Sequence, residues 1–516
     1  MLGIFSDIET LFLMNNILKI IGQAFFSLSG KIFIIVIGFW FKYFLANNLA
    51  DAAYSLGIFA LGMTIVEIIS PFASLGLGGS AARFIPKWKV ERNTAHISGF
   101  IQISTYLTLL LSLFFAVLVY WNKELVVSYF SEEGSKTVVL SALLPLFLVI
   151  MIFKNLSELF IQLLRGFQEI KRSTIYTSFV GVTFKVVLVV VLISQNWDLE
   201  GYVLGELIAA AVVFVILWLL ISSYSSFTFR FKTDWLTKEM LSFTGTILLL
   251  GVLSMTTANL DKVLLGRLSI TDLGIYYMAL TFVPFIPIVL TSINSIFAPV
   301  ISQVWSEGKM DELHSLYRFF TKWGLLLSMP IVYMVAFFRK DLLLLFGEEF
   351  VAGEQVLLIL AIAHFINLSL GSVGMLLQMT GKHVRVLRVM IIKTIITVLL
   401  MFFLIPAYGL QGAAIAIAIG IVLNNILSYL VVYRTLKFIP YQWSDWRIVL
   451  SIGVTTVVLN YFFTICFVPD GFLSLLLCLL VVTLSFLLAA RLFCFSSEDK
   501  VVFQQLWAKV SSKVNK

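Results

Sequence analysis

The sequence predicts an all-α polytopic membrane protein of about fourteen transmembrane helices. It further predicts two six-helix lobes related by a parallel pseudo-repeat, with two extra helices at the C-terminal end. Three observations lead there: an apolar composition that no water-facing surface could accommodate, continuous apolar runs of spanning length, and a regular alternation of charge between those runs.

Of 516 residues, 60% are apolar and 12% are charged, with 47 phenylalanines, and the mean hydropathy is +1.01. A soluble chain carries about a quarter charged residues, so here half of a water-facing surface is missing. At about 20 residues per span, the apolar content fills about twelve to fifteen helices. Cys466, Cys478 and Cys494 lie in the last two apolar runs without CxxC spacing, which argues against both a disulfide framework and a zinc site.

Residues 1–16 lack the cationic start and small-residue cleavage site of a signal peptide. Leu2, Phe5, Ile8, Leu11 and Phe12 recur at helical spacing and predict a short helix lying in the membrane interface. Fourteen apolar segments follow, at 17–45, 52–82, 94–121, 138–164, 172–194, 201–222, 242–266, 272–302, 315–338, 353–378, 385–405, 411–433, 447–467 and 472–494. They are helices and not barrel strands, because they are continuous instead of alternating and far exceed the length of a strand.

Connectors after even-numbered segments, with the adjoining segment ends and the tail, hold 24 lysines and arginines, among them Arg83, Lys87, Arg165, Lys382 and Arg434. Odd-numbered connectors hold five: Lys123, Lys136, Arg267, Arg339 and Lys340. This distribution predicts that both termini are cytoplasmic, and the expected location is the plasma membrane. It also separates the cations, so the net charge of +8 forms no patch for nucleic acid.

Two short motif pairs divide the chain. Asp198-Leu199-Glu200-Gly201 and Gly409-Leu410-Gln411-Gly412 enter segments 6 and 12, 211 positions apart, while Leu56-Gly57-Ile58-Phe59 and Leu273-Gly274-Ile275-Tyr276 enter segments 2 and 8, 217 apart. The repeat maps segments 1–6 onto 7–12. The expected organisation is therefore an interfacial segment at 1–16, an N-lobe at 17–222, a connector at 223–241 and a C-lobe at 242–438, then helices 13 and 14 at 439–494 and a tail at 495–516.

Catalytic signatures are sparse. There is no GxxxxGK[ST] for nucleotide phosphates and no HExxH among the four histidines, so neither cofactor nor metal is expected, and the chain is expected not to be an enzyme. A glycosyltransferase or polymerase using a lipid-linked sugar would need outer acids, and Asp51 stands alone there. Gly76-Leu77-Gly78-Gly79 lies inside an apolar segment, where it lets a helix bend or pack closely.

Charges within spans are costly, at about 2.5–3.5 kcal/mol each near a helix centre on insertion scales. Lys31, Glu67, Lys154, Glu158, Lys185 and Lys393 are placed mid-span, and Lys42, Glu206, Asp261 and Lys262 nearer the outer ends. Lys154 and Glu158 are four apart and can pair; Glu67 can neutralise a neighbouring lysine; Lys42, Glu206 and Lys262 can snorkel outward. Lys31, Lys185 and Lys393 have no acid within one turn on their own helices. Lys185 and Lys393 are nearly equivalent under the 211 offset, which points to a positively lined cavity and an anionic cargo or headgroup. Pro71, Pro284, Pro287 and Pro299 mark bends where a lobe could flex.

Asn259-Leu260-Asp261-Lys262-Val263-Leu264-Leu265-Gly266, followed by Leu273-Gly274-Ile275-Tyr276, resembles the seventh and eighth helices of polysaccharide flippases. Ala81-Ala82-Arg83-Phe84-Ile85-Pro86-Lys87 resembles the end of their second helix, and Leu164-Arg165-Gly166 and Gln378-Met379-Thr380-Gly381 resemble the turns after helices 4 and 10. These flippases belong to the superfamily of multidrug, oligosaccharidyl-lipid and polysaccharide exporters. The resemblance implies translocation of a polyprenyl-diphosphate-linked oligosaccharide to the outer leaflet by alternating access. It makes that lipid, membrane lipids and other polysaccharide-assembly membrane proteins the expected partners. Lys31, Lys185 and Lys393 would contact the headgroup, with Arg83 at the cytoplasmic mouth. Related lipid II flippases use cavity arginines, where helix 1 here offers Lys31 and Lys42. Glu67, Lys154, Glu158, Asp261 and Lys262 remain for ion coupling or charge pairing. The alternative within the superfamily, a cation-coupled drug exporter, would need a buried acid in helix 1 or 7; helix 1 has none and Asp261 is expected near the outer end of helix 7.

Overall fold

A computed structural model describes residues 29–130, 136–224, 237–442, 445–465, 469 and 471–495. The expected interfacial helix, most of the 223–241 connector and the tail beyond Phe495 lie outside the described residues. Every regular element among the described residues is helical. Twelve helices are long and apolar enough to cross a membrane, thirteen with one bent pair counted as a span. The described residues form two compact units, one running to Tyr277 and taking in Met401–Gly409, the other made of Met278–Leu400 and the described residues from Leu410 onward.

The first unit contains α1 (Ser29–Asn48), α2 (Ala52–Ser74), α3 (Leu77–Val90), α4 (Thr94–Trp121), α5 (Lys136–Gly166), α6 (Ile170–Ser194), α7 (Asp198–Ser222), α8 (Lys238–Leu268) and α9 (Ile270–Ala279). Phe84, Trp88, Phe100, Phe160, Leu163 and Ile221 build a buried core where α3, α4, α5 and α7 meet.

The second expected segment does not run unbroken. Pro71 supplies no N–H, and the chain turns at Leu75 and Gly76, with φ of 49° and 74°. A Cβ on Gly76 would stand 2.7 Å from the Thr244 carbonyl oxygen of α8, so the glycine lets the two backbones touch. The Ser80 and Thr244 hydroxyls hydrogen-bond across the same contact at 2.7 Å.

A second close crossing joins α2 to α9. A Cβ on Gly57 would lie 2.0 Å from the Ile270 carbonyl oxygen, and one on Gly274 would lie 1.7 Å from that of Ala53. The two contacts exchange under the 217-residue offset, the pattern a local two-fold axis between equivalent motifs produces. In the other motif pair both equivalent positions have positive φ, 42° at Asp198 and 52° at Gly409. Asp198 tolerates this rare conformation and uses its carboxylate to accept from the Ala50 N–H at 3.1 Å.

The second unit contains α10 (Ile288–Ser306), α11 (Met310–Phe337), α12 (Glu354–Leu370), α13 (His383–Leu436, which runs through the Met401–Gly409 piece of the first unit), α14 (Trp446–Ile465) and α15 (Gly471–Ala489). Phe297, Tyr317, Leu376 and Val432 anchor its core. Tyr317 Oη donates to the Leu370 carbonyl at 2.8 Å, and Tyr333 Oη donates to Asn460 Oδ1 at 2.8 Å, tying α11 to α14. The chain bends by 45° between Ile270–Phe285 and Ile288–Ser295, where Pro284 and Pro287 interrupt the backbone hydrogen bonds.

Expected segments 11 and 12 form the single 54-residue α13. At about 1.5 Å per residue it is far longer than an apolar layer of about 30 Å. Non-helical backbone at Gly409 (φ 52°, ψ −125°) divides it into two pieces, each long enough to span. Val457, Leu473 and Phe403 are among many large apolar side chains left exposed, the surface a helix presents to lipid.

Candidate functional site

The candidate site lies within the first unit and starts from a helical hairpin. Lys185 on α6 is ten residues before Gln195, and Glu206 on α7 is ten after Asn196. Antiparallel helices joined by a short turn bring such equidistant positions to one depth, and Lys185 Nζ lies 3.3 Å from Glu206 Oε2. The π-helical stretch Ile175–Gly181 adds a residue per turn just ahead of Lys185, a distortion frequent at functional sites. A Cβ on Gly181 would lie 2.6 Å from the Val213 methyl of α7, which keeps the hairpin close there.

A second pair crosses from α2 to α8, with Glu67 Oε2 4.0 Å from Lys262 Nζ. The Lys262 ammonium also donates to Asn259 Oδ1 at 2.9 Å. Lys154 of α5 makes no ion pair among the described residues. These side chains line a cavity of about 190 Å³ together with Phe59, Thr64, Tyr202 and Tyr277. Two neighbouring cavities, of about 410 Å³ and 210 Å³, both include Lys154 and Glu158 in their walls. Lys42 Nζ rests over the Tyr277 ring at 3.8 Å, and Tyr202 stacks on Phe59 with centroids 3.9 Å apart.

The three cavities thus expose Lys154, Lys185 and Lys262 against Glu67, Glu158 and Glu206. The wall is near charge balance, where the sequence led us to expect an excess of lysine. Charge-assisted N–H donors of this kind suit phosphate oxygens, while the glutamates hold two lysines meanwhile. Among the described residues, no group of three His, Cys, Asp or Glu could hold a metal ion.

The other predicted residues have surroundings of their own. Lys31 is exposed on α1. Lys393 belongs to the second unit, on α13, and makes no ion pair among the described residues. Arg83 Nη2 meets Glu239 Oε1 at 2.8 Å, with its guanidinium 4.5 Å from the centre of the Phe243 ring. Glu158 does not pair with Lys154; it accepts from Gln162 Nε2 at 2.6 Å. Asp261 is 1% exposed; its Oδ2 accepts from Tyr276 Oη at 2.8 Å and its Oδ1 has no hydrogen-bond partner. Asp51 caps α2, accepting from the Tyr54 N–H at 3.4 Å.

Lys42, offered from helix 1 by the resemblance, stands against Tyr277 of this wall, whereas Glu206, Tyr202 and Tyr277 were not among the expected site residues. Glu206 stands on a different helix from Lys185, and its mirrored distance from the α6–α7 turn is the sequence signal that pairs the two. No sequence signal marked the tyrosines.

A family model described as polysaccharide biosynthesis protein matches residues 52–354. The chain is similar to a probable low-salt glycan biosynthesis flippase of Haloferax volcanii, 25% identical over 173 residues, covering 33% of this chain and 36% of that protein. It is also similar to a capsular polysaccharide biosynthesis protein of Staphylococcus aureus, 31% identical over 130 residues, covering 25% of this chain and 33% of that protein. The chain therefore spans about a third of the length of these relatives. Its structure is similar to that of the lipid II flippase MurJ in an inward closed conformation, with TM-score 0.69 and 15% identity over 91% of this chain and 98% of that one. At that identity the likeness is one of fold alone.

Proposed function

The chain belongs to the polysaccharide biosynthesis protein family, and from that premise we propose that it is a flippase for a polyprenyl-diphosphate-linked oligosaccharide. The cargo moves from the cytoplasmic to the outer leaflet of the plasma membrane by alternating access, with the lipid tail in the bilayer and the polar head in a cavity. Lobes at 17–222 and 242–438, fourteen crossings and cytoplasmic termini complete this reading. The connector cations support the orientation, and the break at Gly409 supports counting α13 as two crossings.

The observation that carries the proposal is the cavity wall in which Lys154, Lys185 and Lys262 converge. A diphosphate needs ammonium donors, and this wall supplies three. Lys185 is the first candidate for the headgroup, Lys154 the second, and Lys393 and Lys31 supply further cations elsewhere in the chain. With no nucleotide motif, the driving force is an ion gradient, the membrane potential or the cargo gradient.

The second reading, a cation-coupled exporter, draws on the buried Asp261 carboxyl with its unpartnered oxygen. Reconstituted vesicles separate the two. A polyprenyl-diphosphate oligosaccharide placed in one leaflet should appear in the other with wild-type protein, and Lys185→Gln with Lys393→Gln should stop it. Movement retained by that double variant would remove those lysines from the mechanism. No movement of the lipid, with drug efflux that depends on Asp261, would replace the flippase by the exporter.

A further inference from the structure

We propose that Glu206 and Glu67 are resident counter-ions that compete with the cargo's phosphates for the cavity lysines and so set how fast the headgroup leaves. The inference rests on the flippase reading and adds a role that transport by cavity lysines alone does not require.

Glu206 is 9% exposed, and its Oε2 faces Lys185 at 3.3 Å without a hydrogen bond from any other described group. A carboxylate so buried tolerates its charge only beside a cation. Lys185 is held in turn, since a lone ammonium in an apolar bundle is equally costly. Glu67 does the same for Lys262 across α2 and α8, at 4.0 Å and with its side chain 48% exposed. The cavity between these pairs is therefore close to neutral before any cargo arrives, and Lys154 in its wall makes no ion pair among the described residues.

A diphosphate entering this space meets one ammonium that makes no ion pair among the described residues and two already engaged. To draw on Lys185 it must either displace Glu206 or share the ammonium with it, since lysine carries three donors. Displacement strands a buried carboxylate; sharing puts carboxylate and phosphate oxygens side by side. Both routes weaken anion binding relative to the same cavity without the acid. The gain is in release: when the headgroup leaves, each glutamate returns to its lysine and no naked cation remains. A carrier with lysines alone would bind its cargo tightly and discharge it slowly.

Removing the acid's charge at constant shape separates this role from a structural one. The full-length protein in detergent is titrated with geranylgeranyl diphosphate, and the dissociation rate is followed by competition. Glu206→Gln should bind about tenfold tighter, equivalent to about 1.4 kcal/mol, with slower dissociation. Glu67→Gln should shift the same way by less, because its pair is longer and wetter. Lys185→Gln should bind more weakly. Glu200→Gln, exposed on α7 and outside the cavities, should match wild type.

If Glu206→Gln folds and binds no tighter than wild type, the counter-ion role is overturned and the acid merely positions Lys185. If Glu206→Gln does not fold, Glu67→Gln decides: tighter binding supports the proposal, and unchanged or weaker binding overturns it. If wild-type protein does not bind the diphosphate at all, the flippase reading falls and takes this inference with it. That outcome differs from binding by wild type that neither glutamine variant improves.

Discussion

Substituting Gly274 by alanine tests the crossing of α2 and α9 most sharply. The added Cβ would stand 1.7 Å from the Ala53 carbonyl oxygen and 2.9 Å from the Gly57 nitrogen. A relaxed carbon–oxygen contact is about 3.3 Å, so the two backbones would have to part by about 1.5 Å. Neither obstructing atom is a side chain that can rotate away. Overpacking by one methyl costs about 1–3 kcal/mol in cores that can adjust, and a backbone-to-backbone clash belongs at or above the upper end. Gly57→Ala meets the Ile270 carbonyl at 2.0 Å and should behave alike. Because one separation relieves both contacts, the double variant should cost clearly less than the two single losses added. Gly38→Ala is the control: its Cβ would meet nothing within 4 Å, and replacing a helical glycine there should be neutral or stabilising by about 0.5–1 kcal/mol. Thermal inactivation of detergent-purified protein, read as the monodisperse fraction remaining, measures all four. Gly274→Ala as heat-resistant as Gly38→Ala would refute the close crossing.

Two further outcomes follow from the same unit. Tyr276→Phe removes the hydroxyl that donates to the buried Asp261 at 2.8 Å and should lower stability by about 1–3 kcal/mol, whereas Asp261→Asn with Tyr276 intact should lose less; equal stability of Tyr276→Phe and wild type in the same heat assay would dismiss the hydrogen bond. Arg83→Gln breaks a pair whose side chains are 50% and 55% exposed, so it should change stability by at most about 1 kcal/mol, and a much larger loss would mean that the Glu239 contact is shielded from solvent.

Much of this molecule was legible along the chain. Membrane residence follows from composition, because apolar side chains in such excess require an apolar solvent. Helix positions follow from runs of that composition, and two short motif pairs at nearly equal offsets point to an internal repeat. These are local properties, fixed by a residue and its near neighbours. The breaks were less legible: Gly76 and Gly409 sit in apolar text, and whether a glycine bends, ends or merely thins a helix depends on what packs against it. At Gly76 that neighbour is the Thr244 carbonyl of α8.

The charges divide the two kinds of information most clearly. From sequence alone Lys185 was a lone cation and Glu206 an outer-end acid; in the structure they are 3.3 Å apart. Lys154 and Glu158 had the spacing of a pair, yet Glu158 turns to Gln162 and leaves Lys154 in the cavity wall. Electrostatic partnership depends on distances between helices, which hydrophobic periodicity does not encode. The apolar solvent and the helices were legible in the residues alone, since both follow from free energies summed along the chain. Tertiary packing set which charges neutralise one another and which line a common cavity, because a charge interaction falls off over a few ångströms of space and takes no account of separation in sequence.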